Sequence, residues 1–222
     1  MPDALAFTRL LGTPLILAPM AGGISNSRAP AGGLARWCSR VLAGGGYQTP
    51  EQLADKLTAL KRAGSSSFGV NLFVPAAASG RHPEAVAAYA RALEPQARRL
   101  GVELGSAVRV DDWFTDKVAV LTADPVAAVS FTFGLPPEAG MAALRAVGSV
   151  LIATVTNPAE ARAATQAGMD ALCVQAAVAG GHRGTFGNYP GSTLPLAELL
   201  AAVREVSPLP MIAAGASRRP LS

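Results

Sequence analysis

A glycine pair, a histidine and an arginine, Gly180-Gly181-His182-Arg183, follow closely on the short apolar run Ala171 to Gln175. The run is bounded by turn residues and is too short for a helix, so it reads as a buried strand. His182 carries the side chain whose charge changes near neutrality without special tuning. Glycines let backbone N–H groups approach a phosphate or a flat ring with no Cβ in the way. A strand ending in such a loop can therefore offer a cofactor seat and an acid/base group together. His182 taken alone reads as a surface residue on a tight turn. The glycine pair and the preceding strand favour chemistry.

The elements that must position this loop alternate along the chain. Leu15 to Ala18, between Pro14 and Pro19, reads as a first strand, and Arg40 to Ala43 as a second, ending in Gly44-Gly45-Gly46. Thr49-Pro50-Glu51-Gln52 opens a helix to Ala63, with Thr49 as N-cap and Pro50 at the first helical position. A third strand spans Phe68 to Leu72. An alanine-rich helix runs from Pro83 to Leu100, interrupted near Pro95, and another covers 111–121. Strands then follow at Ala127 to Phe133, Val150 to Val155, Ala171 to Gln175 and Pro210 to Ala214. Helices between and beside them cover 138–146, 158–167 and 194–206. Such alternation implies parallel βα units. Seven strands are visible where a (β/α)8 TIM-type barrel needs eight. The expected fold is an incomplete α/β barrel, a single domain over residues 1–222, truncated before its eighth strand.

With 222 residues, 50% of them apolar, the chain can bury a large core. Its net charge of +4 does not describe a nucleic-acid surface. Arg28, Arg36, Arg40, Arg218 and Arg219 sit in two acid-free segments and account for the whole excess, with no aromatic interleaving. Cys38 and Cys173 have no metal-ligand spacing, and Cys173 reads as a small core residue in a strand. A reducing compartment follows as the default. No apolar run is long enough for a membrane span, and Asp3 and Arg9 break any signal-peptide core. The expectation is a cytoplasmic protein with a small-molecule partner, no metal, no membrane and no nucleic acid.

Several pieces resemble one family when read together. They are Pro14-Leu-Ile-Leu-Ala-Pro19-Met20-Ala21-Gly22-Gly23, Gly46-Tyr47-Gln48-Thr49-Pro50-Glu51 and Phe68-Gly-Val-Asn71-Leu72-Phe73. Val129 to Pro136, Ala179 to Phe186 and Met211 to Gly215 complete the set. In this order they resemble the FMN-dependent nitronate monooxygenases, formerly called 2-nitropropane dioxygenases. The resemblance implies a flavin at the C-terminal ends of the strands. It implies that Pro19, Met20, Ala21 and Gly22 face the flavin ring, and that Asn71 and Gln175 contact the cofactor. Gly180 and Gly181 would line it with backbone amides, and Gly215 would begin the phosphate loop. His182 would be the catalytic base, taking a proton from the carbon beside a nitro group. The implied reaction oxidises alkyl nitronates or nitroalkanes with O2 to a carbonyl compound and nitrite.

Three departures bear on that expectation. Ala176 and Val178 stand where the family has a glycine and an acid. Residues 24–42 lack the family's amphipathic helix, and 216–222 lack its continuation. Both segments have the Arg-, Ser-, Pro- and Gly-rich composition of a GC-rich frame read out of register. The family holds the flavin phosphate after its last two strands, so weak FMN binding or poor solubility is expected. Two alternatives stand beside the main reading: an enzyme like the flavin-dependent enoyl-acyl-carrier-protein reductases, or an inactive remnant that binds no flavin.

Overall fold

A computed structural model describes residues 15–20, 39–44, 48–64, 68–75, 83–107, 111–187, 189 and 191–215. Ala21, Gly22, Cys38, Gly45, Gly46, Tyr47 and His82 lie outside the described residues, as do 24–38 and 216–222. The chain divides into two units, residues 1–75 with 112–222, and residues 76–111.

The larger unit holds β1 (Ile16–Leu17), β2 (Ser39–Ala43), α1 (Pro50–Arg62) and β3 (Phe68–Phe73). The smaller holds α2 (Pro83–Leu100). The larger then continues with α3 (Phe114–Ala123), β4 (Ala128–Thr132), α4 (Glu138–Ala146), β5 (Val150–Val155) and α5 (Pro158–Gln166). It ends with β6 (Ala171–Gln175), α6 (Leu196–Arg204) and β7 (Met211–Ala214). Its seven described strands form one sheet in chain order, every neighbouring pair parallel. Parallel neighbours need crossover connections, which the helices supply. Among the described residues, no pairing closes β7 onto β1. The expected seven strands are present among the described residues, all parallel and in chain order.

The two faces of this sheet differ in a way that prepares the site. Val70, Leu72, Val129, Phe131, Leu151, Val155, Leu172 and Val174 share the main core with helix residues such as Leu57, Leu121, Leu144 and Leu199. Side chains alternate along a strand, so the intervening residues belong to the other face. There Ala128, Ile152 and Ala171 form a small apolar cluster with Val150, Cys173 and Ile212. Further toward the C-terminal ends the same face turns polar, with Asn71, Ser130, Thr132, Thr154 and Gln175. Burial pushes the Cys173 thiol up to about 11, against a lowering by its hydrogen bond with Thr154. It is an unreactive core thiol.

Local chemistry explains the helix starts. Thr49 and Gln52 form a capping box before α1, Thr49 Oγ1 accepting from Gln52 N and Gln52 Oε1 from Thr49 N. Gln48 donates to the last carbonyl of β2, Ala43 O, at 2.6 Å and accepts from Lys56 Nζ at 2.7 Å. One amide thus ties the end of β2 to α1, whose buried stripe is Leu53, Leu57 and Leu60. Asn157 caps α5 by accepting from Glu160 N at 3.0 Å, with Pro158 at the first position.

The structure corrects four boundaries. Helix α2 runs unbroken through Pro95, inside a stretch of strong helix formers that outweighs one lost hydrogen bond. Helix α3 begins at Phe114, because Asp112 and Trp113 stand at φ 58° and 50°, outside helical space. Strand β4 ends at Thr132, because Phe133 is turned to φ 76°. Helix α6 starts only after Pro195. No described helix is long and apolar enough to cross a membrane.

Candidate functional site

Because all strands are parallel, their C-terminal ends share one edge of the sheet, where loops can gather side chains from several units. Asn71 is buried there on β3. Its Oδ1 accepts from Ser130 Oγ at 2.9 Å and from Thr132 Oγ1 at 3.0 Å, both on neighbouring β4. Two hydroxyl donors on the oxygen fix the amide's orientation, leaving its NH2 as a donor directed elsewhere. Thr132 Oγ1 lies 3.5 Å from Thr154 Oγ1 on β5. A polar row thus crosses three strands.

The loop after β6 sits on that row. Gln175 Nε2 donates to His182 O at 2.8 Å, and Gln175 Oε1 accepts from Gly184 N at 2.7 Å. The last side chain of β6 therefore grips the loop on both sides of Arg183. Gly184 is buried against the sheet, and a Cβ there would lie 2.9 Å from Thr154 Cγ2 and 3.1 Å from Thr132 Cγ2. Only glycine fits. The closest backbone approach is therefore at Gly184, whereas Gly180 and Gly181 have open space around them. Gly181 is needed for its φ of 81°.

His182 is exposed, and its ring rests beside two phenylalanines. The centroid distances are 6.1 Å to Phe73 and 5.9 Å to Phe133, and the two phenyl rings meet edge-on at 4.8 Å. Phe73 ends β3. Phe133 follows β4 in a left-handed conformation rare for a bulky residue, which turns its ring toward the histidine. Among the described residues neither imidazole nitrogen has a hydrogen-bond partner. The ring is placed by its loop and by aromatic contact.

Beneath the loop lies Glu160, a buried carboxylate in the first turn of α5. Its Oε2 accepts from Thr156 N at 2.6 Å and Thr156 Oγ1 at 2.9 Å. Its Oε1 accepts from Phe186 N at 2.9 Å and from the Tyr189 hydroxyl. Partial burial, and then the carboxylate it bonds, raise the Tyr189 phenol above the ordinary tyrosine range. A phenol raised on folding contributes stability that is complete below the unfolded value, about 10, and is lost as pH rises through the folded value. The tyrosinate absorbance titration of the chain's three tyrosines is therefore expected to show a late step that Tyr189→Phe abolishes. A wild-type titration without a late step would contradict this contact.

The remaining predicted residues are more dispersed. Pro19 and Met20 follow β1, two strands from Asn71 on β3, with Met20 exposed. Gly215 follows β7; a Cβ on it would come 3.2 Å from Ala176 Cβ and 3.4 Å from Leu196 Cδ2. Ala176 thus fills space beside the start of the predicted phosphate loop, while Val178 points to solvent. Asn71, Gln175 and His182 are joined through Thr132, Thr154 and Gly184. Sequence reasoning assigns no individual role to Phe133, Glu160, Gly184 or Tyr189, although Phe133 and Gly184 fall within the pieces that carry the resemblance.

Comparison with known proteins places this chain in a family. The family model for nitronate monooxygenase matches residues 6–218, running through the divergent segment 24–42. A probable nitronate monooxygenase of Staphylococcus aureus strain Newman is 35% identical over 213 residues, covering 91% of this chain and 57% of its own length. One from Bacillus subtilis strain 168 is 32% identical over 206 residues, covering 92% and 58%. The chain thus spans under two thirds of the length of these relatives. Among solved structures, nitroalkane oxidase from Streptomyces ansochromogenes matches with TM-score 0.82 and 37% identity, over 93% of this chain and 59% of that one. A FabK mutant from Thermotoga maritima, 22% identical with TM-score 0.66, shares the fold. By sequence and by structure, this chain belongs to the nitronate monooxygenase family.

Proposed function

We propose that the chain forms the flavin and substrate side of an FMN-dependent nitronate monooxygenase, with His182 as its general base. The observation that carries this reading is the imidazole held between the ends of β3, β4 and β6, over a face bearing Asn71, Thr132 and Thr154. The donor set fits a flavin ring. Asn71 has its oxygen engaged and its NH2 left to donate to a ring heteroatom, and the glycine turn offers backbone N–H groups. Pro19, Met20, Gly180 and Gly181 would border the ring. Of the phosphate loop, Gly215 is described and 216–222 are not.

His182 takes a proton from the carbon beside the nitro group of a neutral nitroalkane. The C–H bond breaks, the proton goes to a ring nitrogen, and the electron pair delocalises into the nitro group to give the nitronate. Phe73 and Phe133 exclude water from one side of the imidazole and offer an apolar wall to the alkyl part. FMN, when bound, supplies the redox chemistry that passes electrons from the nitronate to O2, yielding a carbonyl compound and nitrite.

The test is spectroscopic and uses the full chain with excess FMN. Saturable quenching of flavin fluorescence is expected, followed by anaerobic bleaching of the visible flavin band on adding a nitronate. Bleaching by NADH instead would move the assignment to reductase chemistry. No saturable binding would leave a sheet without the proposed activity.

A further inference from the structure

We propose that Glu160 is a positioning residue for His182, holding the loop after β6 in the path that sets the imidazole against Phe73 and Phe133. This rests on the reading of His182 as a base, but the loop geometry can be tested independently of it.

The loop is fixed at two places. Gln175 holds His182 O and Gly184 N from the end of β6. Glu160 holds Phe186 N and the Tyr189 hydroxyl from the first turn of α5. Its second oxygen is engaged by Thr156, so the carboxylate cannot swing away from the sheet to follow a moving loop. A helix N-terminus favours a negative charge at this position. Charge-assisted hydrogen bonds are also about twice as strong as neutral ones. Four donors converge on a buried carboxylate that nothing in the proposed proton transfer uses. Its geometric consequence is the path of residues 182–187. With that end released, Gln175 would be the remaining side chain of the sheet that hydrogen-bonds the loop backbone beside His182, helped by the packing of Phe186 on the core.

Arg183 supplies a reporter that needs no activity. It is partly buried and donates from Nη2 to Ser192 O, so the Arg183–Gly184 bond is shielded from trypsin in the closed loop. Cleavage there follows local opening. Glu160→Gln places an amide NH2 against either the Thr156 or the Phe186 N–H, and Tyr189→Phe removes one donor while leaving the ring. Limited trypsinolysis of the full chain, read by mass spectrometry, is expected to show cleavage after Arg183 about tenfold faster in Glu160→Gln. Tyr189→Phe should give a smaller rise, about threefold, with cleavage after Lys61 and Arg204 unchanged in both. Unchanged cleavage after Arg183 in both variants, or an equal rise at every site, overturns the proposal.

The flavin-loaded chain supplies the second arm. Glu160→Gln is expected to lower turnover of a neutral nitroalkane at least fivefold more than turnover of the preformed nitronate, and Glu160→Asp to recover part of the loss. Equal losses on both substrates would also overturn the positioning role. If His182→Asn leaves neutral-substrate turnover intact, the base assignment fails, and the proteolysis arm still decides whether Glu160 orders the loop.

Discussion

Replacing His182 by asparagine is expected to lower turnover of neutral nitroalkanes by about 10²-fold or more, the usual worth of a positioned general base. Flavin binding should stay close to that of the parent chain. Asparagine keeps a planar polar group of similar reach and leaves the loop's anchors alone, since Gln175 grips the backbone of residue 182 and not its ring. The variant has no basic ring nitrogen, so the proton on carbon loses its proposed acceptor. A preformed nitronate has already lost that proton and should be affected far less. The ratio of the two losses therefore separates base catalysis from simple damage to binding. Undiminished turnover of a neutral nitroalkane in a correctly folded His182→Asn protein would remove the histidine from the mechanism.

How far the sequence reached depends on the range of the interaction that fixes each residue. Strands β5 and β6 were legible to the residue because a buried parallel strand is a short apolar run with turn residues at its ends. The starts of α1 and α5 were legible for an equally local reason, Thr49 and Asn157 each followed by proline. Long-range contacts were not. Ser130 and Thr132 look like ordinary strand residues until the β3–β4 register places them beside Asn71, about sixty residues earlier. Glu160 looks like a first-turn acid favoured by the helix dipole, and only its partners at 186 and 189 give it a further role. The glycine-rich motif marks the loop after β6, yet the close backbone approach in that loop falls on Gly184 rather than on the pair before the histidine. Positive φ at Asp112, Trp113 and Phe133 trimmed two predicted elements, because a side chain's local preference does not foretell where tertiary packing turns the backbone.

Breaking the buried ion pair at the start of α3 is expected to cost more stability than most single changes in this chain. Lys117 is fully buried, with Nζ 2.9 Å from Asp112 Oδ1 and 5.8 Å above the centre of the Trp113 ring. The Asp112 side chain is itself only 15% exposed. Removing one partner of such a pair leaves a charge in a site that cannot hydrate it, a loss on the order of 3–5 kcal/mol. That is a large share of the roughly 5–15 kcal/mol that holds a domain folded. Asp112→Asn is the sharpest single change, since asparagine keeps the shape and tolerates the left-handed backbone at this position. Lys117→Met alone removes the buried cation and leaves the less buried carboxylate, so it should cost less. The double variant, with both charges of the pair removed and the methionine filling the lysine's volume, should return to within about 1 kcal/mol of the parent. Urea unfolding followed by tryptophan fluorescence measures all four corners of this cycle. A loss below about 1 kcal/mol for Asp112→Asn would mean that the pair behaves like one at the surface. Water would then reach Lys117 through the turn formed by Asp112 and Trp113.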